Sequence, residues 1–272
     1  MATRVIDDTK LQNIAVAIQG KDSGGTMTVD EMPTRIAAIQ TGDEVLFSSS
    51  GRQYTRTVEI PDGVSKLAMF AFHGCTKLTE IDLKNVTTIE KEVFCYCTGL
   101  TEIDLKNVTT FLNDYHFMHC SSLRKVIGKK VTSTLYSFYD CTVLETAILS
   151  NVSTIGKNTF YNAYVLKNVD CRNADKIVQG AFQNCSRLSL IDLTSRATPT
   201  TLDTTGAFSS TNNTWIAVVA NDTIKSDFQN ATNWSTFASR FRTIAEVEAE
   251  VGMTYDEYYY QLFGEPRNEV AA

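Results

Sequence analysis

The chain has 272 residues, of which 43% are hydrophobic and 21% charged, and its net charge is −6. This composition is ordinary for a globular protein. A nucleic-acid-binding surface normally carries a basic stripe, whereas basic residues here form at most short pairs such as Lys129-Lys130, so no nucleic acid partner is expected. No apolar run is long enough to span a membrane, and residues 1–10 lack the pattern of a secretory signal. We therefore expect neither insertion into a membrane nor secretion directed by residues 1–10.

Residues 1–42 are predicted to form a small helical docking module. Leu11, Ile14 and Ile18 follow the spacing of one helix face. A break over residues 20–25 precedes a second predicted helix, whose apolar residues are Met32, Ile36, Ala37 and Ile39. Such thin apolar faces make a weak core, so the module is expected to pack on a partner protein or on the first repeat. The candidate docking residues are Leu11, Ile14, Ile18, Met32 and Ile36.

Residues 43–220 are predicted to form a repeat solenoid. Val45-Leu46-Phe47 and the alternation over residues 54–60 indicate strands of an entry cap. A pattern then recurs six times: Phe, a small residue three positions on, Leu six on and an apolar residue nine on. The leading phenylalanines are 21 to 23 residues apart, a period typical of a solenoid. They are Phe72, Phe94, Phe117, Phe138, Phe160 and Phe182.

Five of the seven cysteines stand three residues after a repeat phenylalanine, where the fifth repeat has Ala163. A position that accepts Cys or Ala is typical of a small buried slot. We therefore interpret these cysteines as reduced core thiols and not as disulfide partners.

Residues 221–272 are predicted to form a helical cap and tail. The last repeat is stretched and ends in a predicted closing strand over residues 215–219, after which the period becomes helical. Ile224 and Phe228 share one predicted helix face, and Asn233 is the predicted cap of a helix carrying Trp234. A further helix is predicted to end at Gly252, and the capping box of Thr254 and Glu257 predicts a last helix over Tyr255–Phe263.

Aspartates recur at one position of the predicted strands. Ile103-Asp104-Leu105 alternates, so Asp104 is expected to point outward, and Asp82, Asp170 and Asp192 are its equivalents. A stacked aspartate pair could bind a cation. The interpretation we favour is a solvated face neutralised by basic residues two positions on: Lys84, Lys106 and Arg172.

Zinc, catalysis and cofactors are not expected. Cysteines and histidines are close in sequence at Cys95, Cys97, His116, His119 and Cys120, but their spacing fits no standard zinc pattern. The three histidines, His73 included, lie at variable turn positions, and the chain has neither Gly-x-Ser-x-Gly nor a phosphate-binding glycine loop.

Aromatic residues accumulate near the repeat phenylalanines of repeats three to five. The positions two before and one after each phenylalanine vary freely between repeats, which indicates exposure. Exposed tyrosines supply a large contact area with a polar tip, so we interpret the cluster as a candidate ligand surface. The alternative is that these rings cover the turn edge of the core. The candidate residues are Tyr115, Met118, Tyr136, Tyr139, Tyr161 and Tyr164.

The recurring Phe-x-x-Cys-x-x-Leu-x-x-Ile-x-Leu pattern, over about residues 52–220, resembles the BspA-like class of leucine-rich repeats of bacterial surface proteins and some phages. The resemblance implies an α+β repeat solenoid with an adhesive or recognition role and no enzymatic chemistry. Ala163 and Cys171 depart from the pattern, and Gly128 ends the third repeat where Leu is usual, so a local irregularity is expected in the middle of the array.

Both ends carry a narrower resemblance. Residues 11–18 with 28–33 are similar to an N-terminal module of tail-associated proteins in phages and prophages of Gram-positive bacteria. Residues 231–238 resemble the segment that closes such repeat arrays. This implies a virion component (tail, baseplate or fibre), assembled in the bacterial cytoplasm, that joins a virion structural protein through its N-terminal helices. Its ligand would be a host surface protein or glycan, and a homo-oligomer fits this role. The alternative hypothesis is a bacterial cell-surface or secreted adhesin of the same repeat class.

Overall fold

The computed structural model describes residues 35–37, 39–41, 44–46, 57–60 and 63–267. In this part the chain winds into stacked coils that contribute strands to two faces. The first face contains β1 Arg35–Ala37, β4 Thr57–Glu59, β6 Glu80–Asp82, β8 Glu102–Asp104, β10 Lys125–Ile127, β12 Thr146–Ile148, β14 Asn168–Asp170, β16 Leu190–Asp192, β18 Ile216–Val219 and β19 Phe241–Thr243. The second face contains β2 Ile39–Thr41, β3 Glu44–Leu46, β5 Lys66–Leu67, β7 Thr88–Ile89, β9 Thr110–Phe111, β11 Ser133–Thr134, β13 Thr154–Ile155, β15 Lys176–Ile177 and β17 Thr201–Leu202.

Nearly all strand pairs are parallel. On the first face β1, β4 and β6 form one sheet, and β8, β10, β12, β14, β16, β18 and β19 follow in that order in another. Ile103 lies opposite Val126, and Val126 opposite Ala147, so the inward residues stack on one another. The second face has sheets of order β2-β3-β5-β7-β9 and β11-β13-β15-β17, with β2 and β3 antiparallel. The predicted repeat solenoid is thus confirmed, with an additional column of two-residue strands.

The repeat phenylalanines form a continuous stack inside the solenoid. Together with Phe208 of the last coil, their neighbouring ring centroids are 5.1–5.6 Å apart, and their planes are within 20° of parallel. Trp215 stacks on Phe208 at 4.6 Å. Because each ring is buried by rings of adjacent coils, a single coil could not bury its own phenylalanine.

The cysteines after the phenylalanines lie in the same core, as predicted. Cys97 donates its thiol hydrogen to the carbonyl oxygen of Phe72 at 3.1 Å, and Cys120 does so to that of Phe94 at 3.1 Å. All seven cysteines are buried, and none is in a disulfide. The thiol therefore fills a small slot and donates a hydrogen bond to the preceding coil.

Two local predictions differ from the structure. Ile36 and Ala37 lie in β1 and Ile39 in β2, so the second predicted helix does not hold for these three residues. Pairing of β1 with β4 explains the difference, because it continues the parallel stack of the first face. Leu11, Ile14, Ile18 and Met32 lie outside the described residues. The irregularity expected around Gly128 is absent from the first face, where Leu105 and Leu149 fill the space beside it and β10 pairs on both sides. On the second face, however, the sheet is divided between β9 and β11, in the same part of the array.

Helices follow the last coil. They are α1 Asp222–Asn230, a 3-10 helix Trp234–Arg240, α2 Ile244–Val251 and α3 Tyr255–Phe263, with another 3-10 helix at Thr205–Phe208. Both capping residues of α3, Thr254 and Glu257, act as predicted. The predicted cap Asn233 instead donates its side-chain amide to the carbonyls of Leu202 and Asp203. No helix among the described residues has the length and apolarity needed to cross a membrane.

Closure of the core involves one more strand than predicted. β18 is not the last strand, because β19 pairs beyond it in parallel. Buried Trp234 donates its indole N–H to the carbonyl of Thr200, and its ring lies 5.5 Å from that of Phe241. Residues 221–243 thus cover the C-terminal end of the core.

The tail helices fold back onto the outward side of the first face. Tyr255, Tyr259 and Phe263 of α3 form a second core with Ile148, Leu190 and Val218, which are strand residues on that side. Near its end, the tail contacts coils as far apart as Lys125, which lies 3.5 Å from Glu265, and Asp192, which lies 3.7 Å from Arg267. The tail therefore covers the C-terminal part of this sheet surface.

The stack predicts which phenylalanine truncations destabilise the fold. Phe138→Ala should lower the free energy of unfolding by about 3–5 kcal/mol, because a fully buried ring between Phe117 and Phe160 is lost and a cavity remains. Urea titration followed by far-ultraviolet circular dichroism measures this loss. Phe70→Ala, at a ring that is 37% exposed, is the control and should cost less than about 1 kcal/mol. Equal losses in the two variants would contradict the interpretation.

Candidate recognition surface

The turn edge is the segment from two residues before to two residues after each repeat phenylalanine. Its backbone forms a hydrogen-bonded ladder between coils. The N–H groups of Glu92, Phe94 and Tyr96 donate to carbonyls of the next coil at 2.8–3.2 Å. The intervening N–H groups close turns within the coil, as Cys95 does to the carbonyl of Glu92 at 3.3 Å. This alternation holds the outward side chains of successive coils in register.

The ladder requires left-handed backbone at two positions of each coil, two before and two after the phenylalanine. The first position holds Phe70, Glu92, Tyr115, Tyr136, Asn158 and Gly180, and the second holds Gly74, Tyr96, His119, Asp140, Asn162 and Asn184; φ is between 48° and 73° at all of them. Glycine and asparagine adopt this conformation readily, whereas other residues lose roughly 1–2 kcal/mol there. Aromatic residues nevertheless occupy five of the twelve positions.

These five aromatic residues and their neighbours form one connected row, the aromatic strip. Its members are Phe70, His73, Tyr96, Tyr115, His119, Tyr136, Tyr139 and Tyr161.

Ring contacts run through four coils of the strip. Tyr96 stacks on His119 at 4.6 Å, and Tyr139 stacks on Tyr161 at 4.8 Å. His119 joins these two pairs through an edge contact with Tyr139 at 6.4 Å. Beside them Tyr115 lies 4.9 Å from Tyr136. The rings hold one another in place, so a ligand would meet an ordered surface.

The strip is half-buried and presents polar atoms. Phe70 and Tyr96 are exposed, and the remaining rings are partly covered by one another. Burial raises the pKa of Tyr115 and of Tyr139, so both phenols are neutral hydrogen-bond donors near neutral pH. His119 Nδ1 lies 3.4 Å from Asp140. The surface can therefore offer apolar ring area and hydrogen bonds together.

Four of the six predicted surface residues belong to the strip: Tyr115, Tyr136, Tyr139 and Tyr161. Met118 is half-buried, and Tyr164 is 44% exposed without a ring contact among the described residues. Sequence reasoning missed Phe70, His73, Tyr96 and His119. Tyr96 and His119 stand two residues after the phenylalanine, outside the two positions on which the prediction rests. Their common distance from Phe94 and Phe117 was the available signal.

Four of the five cysteines and histidines that lie close in sequence do not converge on one site: Cys97, His116, His119 and Cys120. Cys97 and Cys120 fill the core slot, and His119 stacks in the strip. His116 is fully buried; its Nε2–H donates to the carbonyl of Leu112 at 3.0 Å, and its Nδ1 accepts from the Ser137 hydroxyl at 3.3 Å. Burial lowers the pKa of His116 to about 4, so it is a neutral structural histidine.

The outward aspartates divide into two groups. Asp82 and Asp104 are exposed, and Asp82 lies 2.8 Å from Lys106, as expected for a solvated face. Asp170 and Asp192 are fully buried beneath the tail, so that expectation is wrong for them. Asp170 accepts two hydrogen bonds from the Arg172 guanidinium, one from the Arg172 backbone N–H and one from the Tyr259 hydroxyl at 2.8 Å. Arginine and tyrosine side chains thus stabilise the buried Asp170 carboxylate.

Nucleophilic chemistry finds no support among the described residues. Burial raises the pKa of the Cys95 thiol to about 12, the opposite of what a nucleophilic cysteine needs. The cysteines three residues after a repeat phenylalanine are buried in the same way, and burial also raises the pKa of the Cys185 thiol. The thiols in this core therefore serve packing.

His116 predicts a pH dependence of stability. Its pKa is about 4 when folded, against an ordinary value of 6.5, so the unfolded chain binds the extra proton. The free energy of unfolding should therefore fall by about 3 kcal/mol from this residue as pH drops from 7 to 4. His116→Val, which places the residue of the equivalent Val93, should remove that part of the slope. Urea unfolding at several pH values measures it, and an unchanged slope would contradict the assignment.

The left-handed backbone predicts unequal effects of one substitution at two tyrosines. Tyr136→Asn should change the free energy of unfolding by less than about 1 kcal/mol, because relief of backbone strain offsets the lost ring contacts. Asn158 already occupies the equivalent position. Tyr139→Asn is the matched control; it loses ring contacts without backbone relief and should cost about 1 kcal/mol more. Thermal and urea unfolding measure both, and equal costs would refute the strain argument.

Comparison with known proteins agrees with this architecture. No curated protein matches the sequence. A leucine-rich repeat protein from Eubacterium ventriosum has 23% identity and a TM-score of 0.50, over 65% of this chain and 45% of that one. A leucine-rich repeat protein of T. pallidum has 23% identity and a TM-score of 0.50, over 60% of this chain and 86% of that one. These two structures show the shared fold, and this chain spans less than half the length of the Eubacterium protein.

The family follows from the repeats themselves. The family model for the BspA type leucine rich repeat region matches in six copies, over residues 46–136 and 134–235. This match includes every coil that carries the aromatic strip. Because it also covers most of the sequence, the chain belongs to the BspA-type leucine-rich repeat family.

Proposed function

We propose that this chain is a non-enzymatic recognition protein whose aromatic strip contacts the ligand, and that it is a virion component of a tailed phage binding the host cell surface. Leucine-rich repeat proteins generally serve as protein-binding modules without enzymatic activity, which supports the first part. The virion role is supported by the resemblance of residues 11–18, 28–33 and 231–238 to tail-associated proteins. The chain would act in the tail, baseplate or fibre.

The observation that carries the recognition role is the placement of aromatic residues at strained backbone positions. Later coils fill the same positions with Asn158, Asn162, Gly180 and Asn184, which satisfy the backbone at lower cost. The scaffold therefore does not require rings at Tyr96, Tyr115 or Tyr136. Strained conformations persist where function needs them, and tyrosine is enriched among residues that dominate binding energy.

The proposed ligand is a host surface protein or glycan. Ring area favours apolar protein surface or sugar, and the phenols together with Asp140 and Asn162 supply hydrogen bonds. Asn162 donates to Asp140 at 2.6 Å, which fixes this polar border beside Tyr139. The N-terminal segment with Leu11, Ile14, Ile18 and Met32 is the proposed attachment to a virion structural protein.

The strip predicts a loss of binding without a loss of folding. The double variant Tyr136→Asn with Tyr139→Gln uses residues found at the equivalent positions Asn158 and Gln183. It should reduce binding of the purified, fluorescently labelled chain to host cells about tenfold or more, as expected when interface tyrosines are removed. Tyr260→Asn, at a tyrosine that is 59% exposed on the tail, is the matched control and should bind normally. Unchanged binding by the double variant would disprove the role of the strip.

A separate measurement tests the virion. Mass spectrometry of purified particles should detect peptides of this chain at a fixed ratio to the major tail protein. The alternative is a bacterial cell-surface or secreted adhesin, which fits the bacterial source of the two similar structures. Detection in the bacterial envelope and absence from particles would favour that alternative and leave the strip hypothesis standing.

A further inference from the structure

One cysteine is not explained by the repeat scaffold. Cys95 stands one residue after Phe94, where the other repeats have His73, Met118, Tyr139, Tyr161 or Gln183. All of those are half-buried, whereas Cys95 is 2% exposed. It also lies outside the slot in which other cysteines donate to a backbone carbonyl. Cys95 is therefore a buried thiol beneath the variable turn edge.

Two further donor groups lie beside this thiol. The closest donor atoms of His73, Glu92 and Cys95 all lie within 4.8 Å of one another. His73 Nε2 is 3.7 Å from Glu92 Oε2. The other carboxylate oxygen, Oε1, faces Lys91 Nζ at 3.3 Å. One oxygen of Glu92 is thus held by the lysine, and the other faces the histidine.

The turn-edge ladder fixes the backbone that carries all three residues. Glu92 and Cys95 close one turn through the bond from the Cys95 N–H to the Glu92 carbonyl. His73 is on the preceding coil, and that coil is joined to theirs on both sides of it: Phe72 donates to Val93 at 2.9 Å and Gly74 donates to Cys95 at 2.8 Å. The donors come from two coils but from one rigid ladder.

We propose that His73, Glu92 and Cys95 bind a divalent transition-metal ion of the zinc type. Imidazole nitrogen, carboxylate oxygen and thiolate sulfur are the donors that such ions take, whereas calcium and magnesium prefer oxygen alone. Bond lengths of about 2.0–2.3 Å imply donor separations of roughly 3.3–3.8 Å in a tetrahedron. Shifts of about 1 Å, within reach of two partly exposed side chains, would therefore complete the geometry.

Coordination would have two structural effects. The Cys95 proton would pass to solvent as the thiolate bonds to the metal. The ion would also link two coils at the N-terminal end of the aromatic strip, where the His73 ring lies 5.6 Å from Tyr96. Three protein donors leave the fourth position to water. This inference departs from the sequence-based expectation of no metal, because the donors are brought together by coil stacking and not by sequence spacing.

Cobalt(II) as a spectroscopic probe tests the site in the full chain. Titration under reducing conditions should give one equivalent with a sulfur-to-cobalt charge-transfer band. Cys95→Ala should abolish the band. His73→Gln and Glu92→Asn should weaken cobalt binding by more than about 100-fold, since even partners outside the first coordination sphere contribute about 10–100-fold. Both substitutions use residues found at equivalent positions, Gln183 and Asn158.

A matched cysteine variant separates this site from general thiol binding. Cys185→Ala removes a thiol from the small core slot three residues after a repeat phenylalanine, and Ala163 shows that this slot accepts alanine. The Cys185→Ala variant should keep the cobalt band. Zinc should raise the thermal unfolding midpoint of Cys185→Ala and of the parent, but should leave that of Cys95→Ala unchanged. Circular dichroism without metal verifies that each variant is folded. The proposal is overturned by the absence of a band in the parent, by a band in Cys95→Ala, or by unchanged affinity in His73→Gln and Glu92→Asn.

Discussion

Stacking of buried phenylalanines between coils is the interaction on which the rest of this structure depends. Each ring fills the space between rings of the coils above and below, at separations just over 5 Å. Neither the strands nor the turns of a single coil could bury a ring of this size alone, so the coil is stable only within a stack. The two ends of the stack then require caps, and Trp215 with Trp234 supplies the one at the C-terminal end.

The stack also determines, residue by residue, which side chains are fixed by core packing and which are free to vary at the surface. Positions whose side chains face inward are constrained by ring and thiol packing. Positions with left-handed backbone are constrained in φ but free in side chain, because the ladder uses only their backbone N–H and carbonyl groups. The fold therefore does not require aromatic rings at Tyr96 and Tyr136, since glycine or asparagine would satisfy the same backbone conformation.

Much of this was predictable because the period is local. The spacing of Phe94, Cys97, Leu100 and Ile103 specified the inward residues, and the capping box of Thr254 specified the last helix. Two-residue strands such as Thr110–Phe111 were not predictable, since alternation needs a longer run. Burial of Asp170 was missed because the amphipathic face of α3 does not reveal what it packs against. The grouping of His73, Glu92 and Cys95 depends on coil stacking, which spacing alone does not show.

The tail bears on how this repeat array can change in length. Its contacts bind specific coils: Asn168 donates to the carbonyl of Leu262, Arg172 to that of Arg267, and Glu265 reaches back to Lys125. Duplication or deletion of a coil between residues 125 and 219 would move these partners out of reach. A coil added or lost before residue 125 would leave them in place. The number of coils is thus fixed in the C-terminal part of the array by the tail contacts. It can change in the N-terminal part, where the aromatic strip begins.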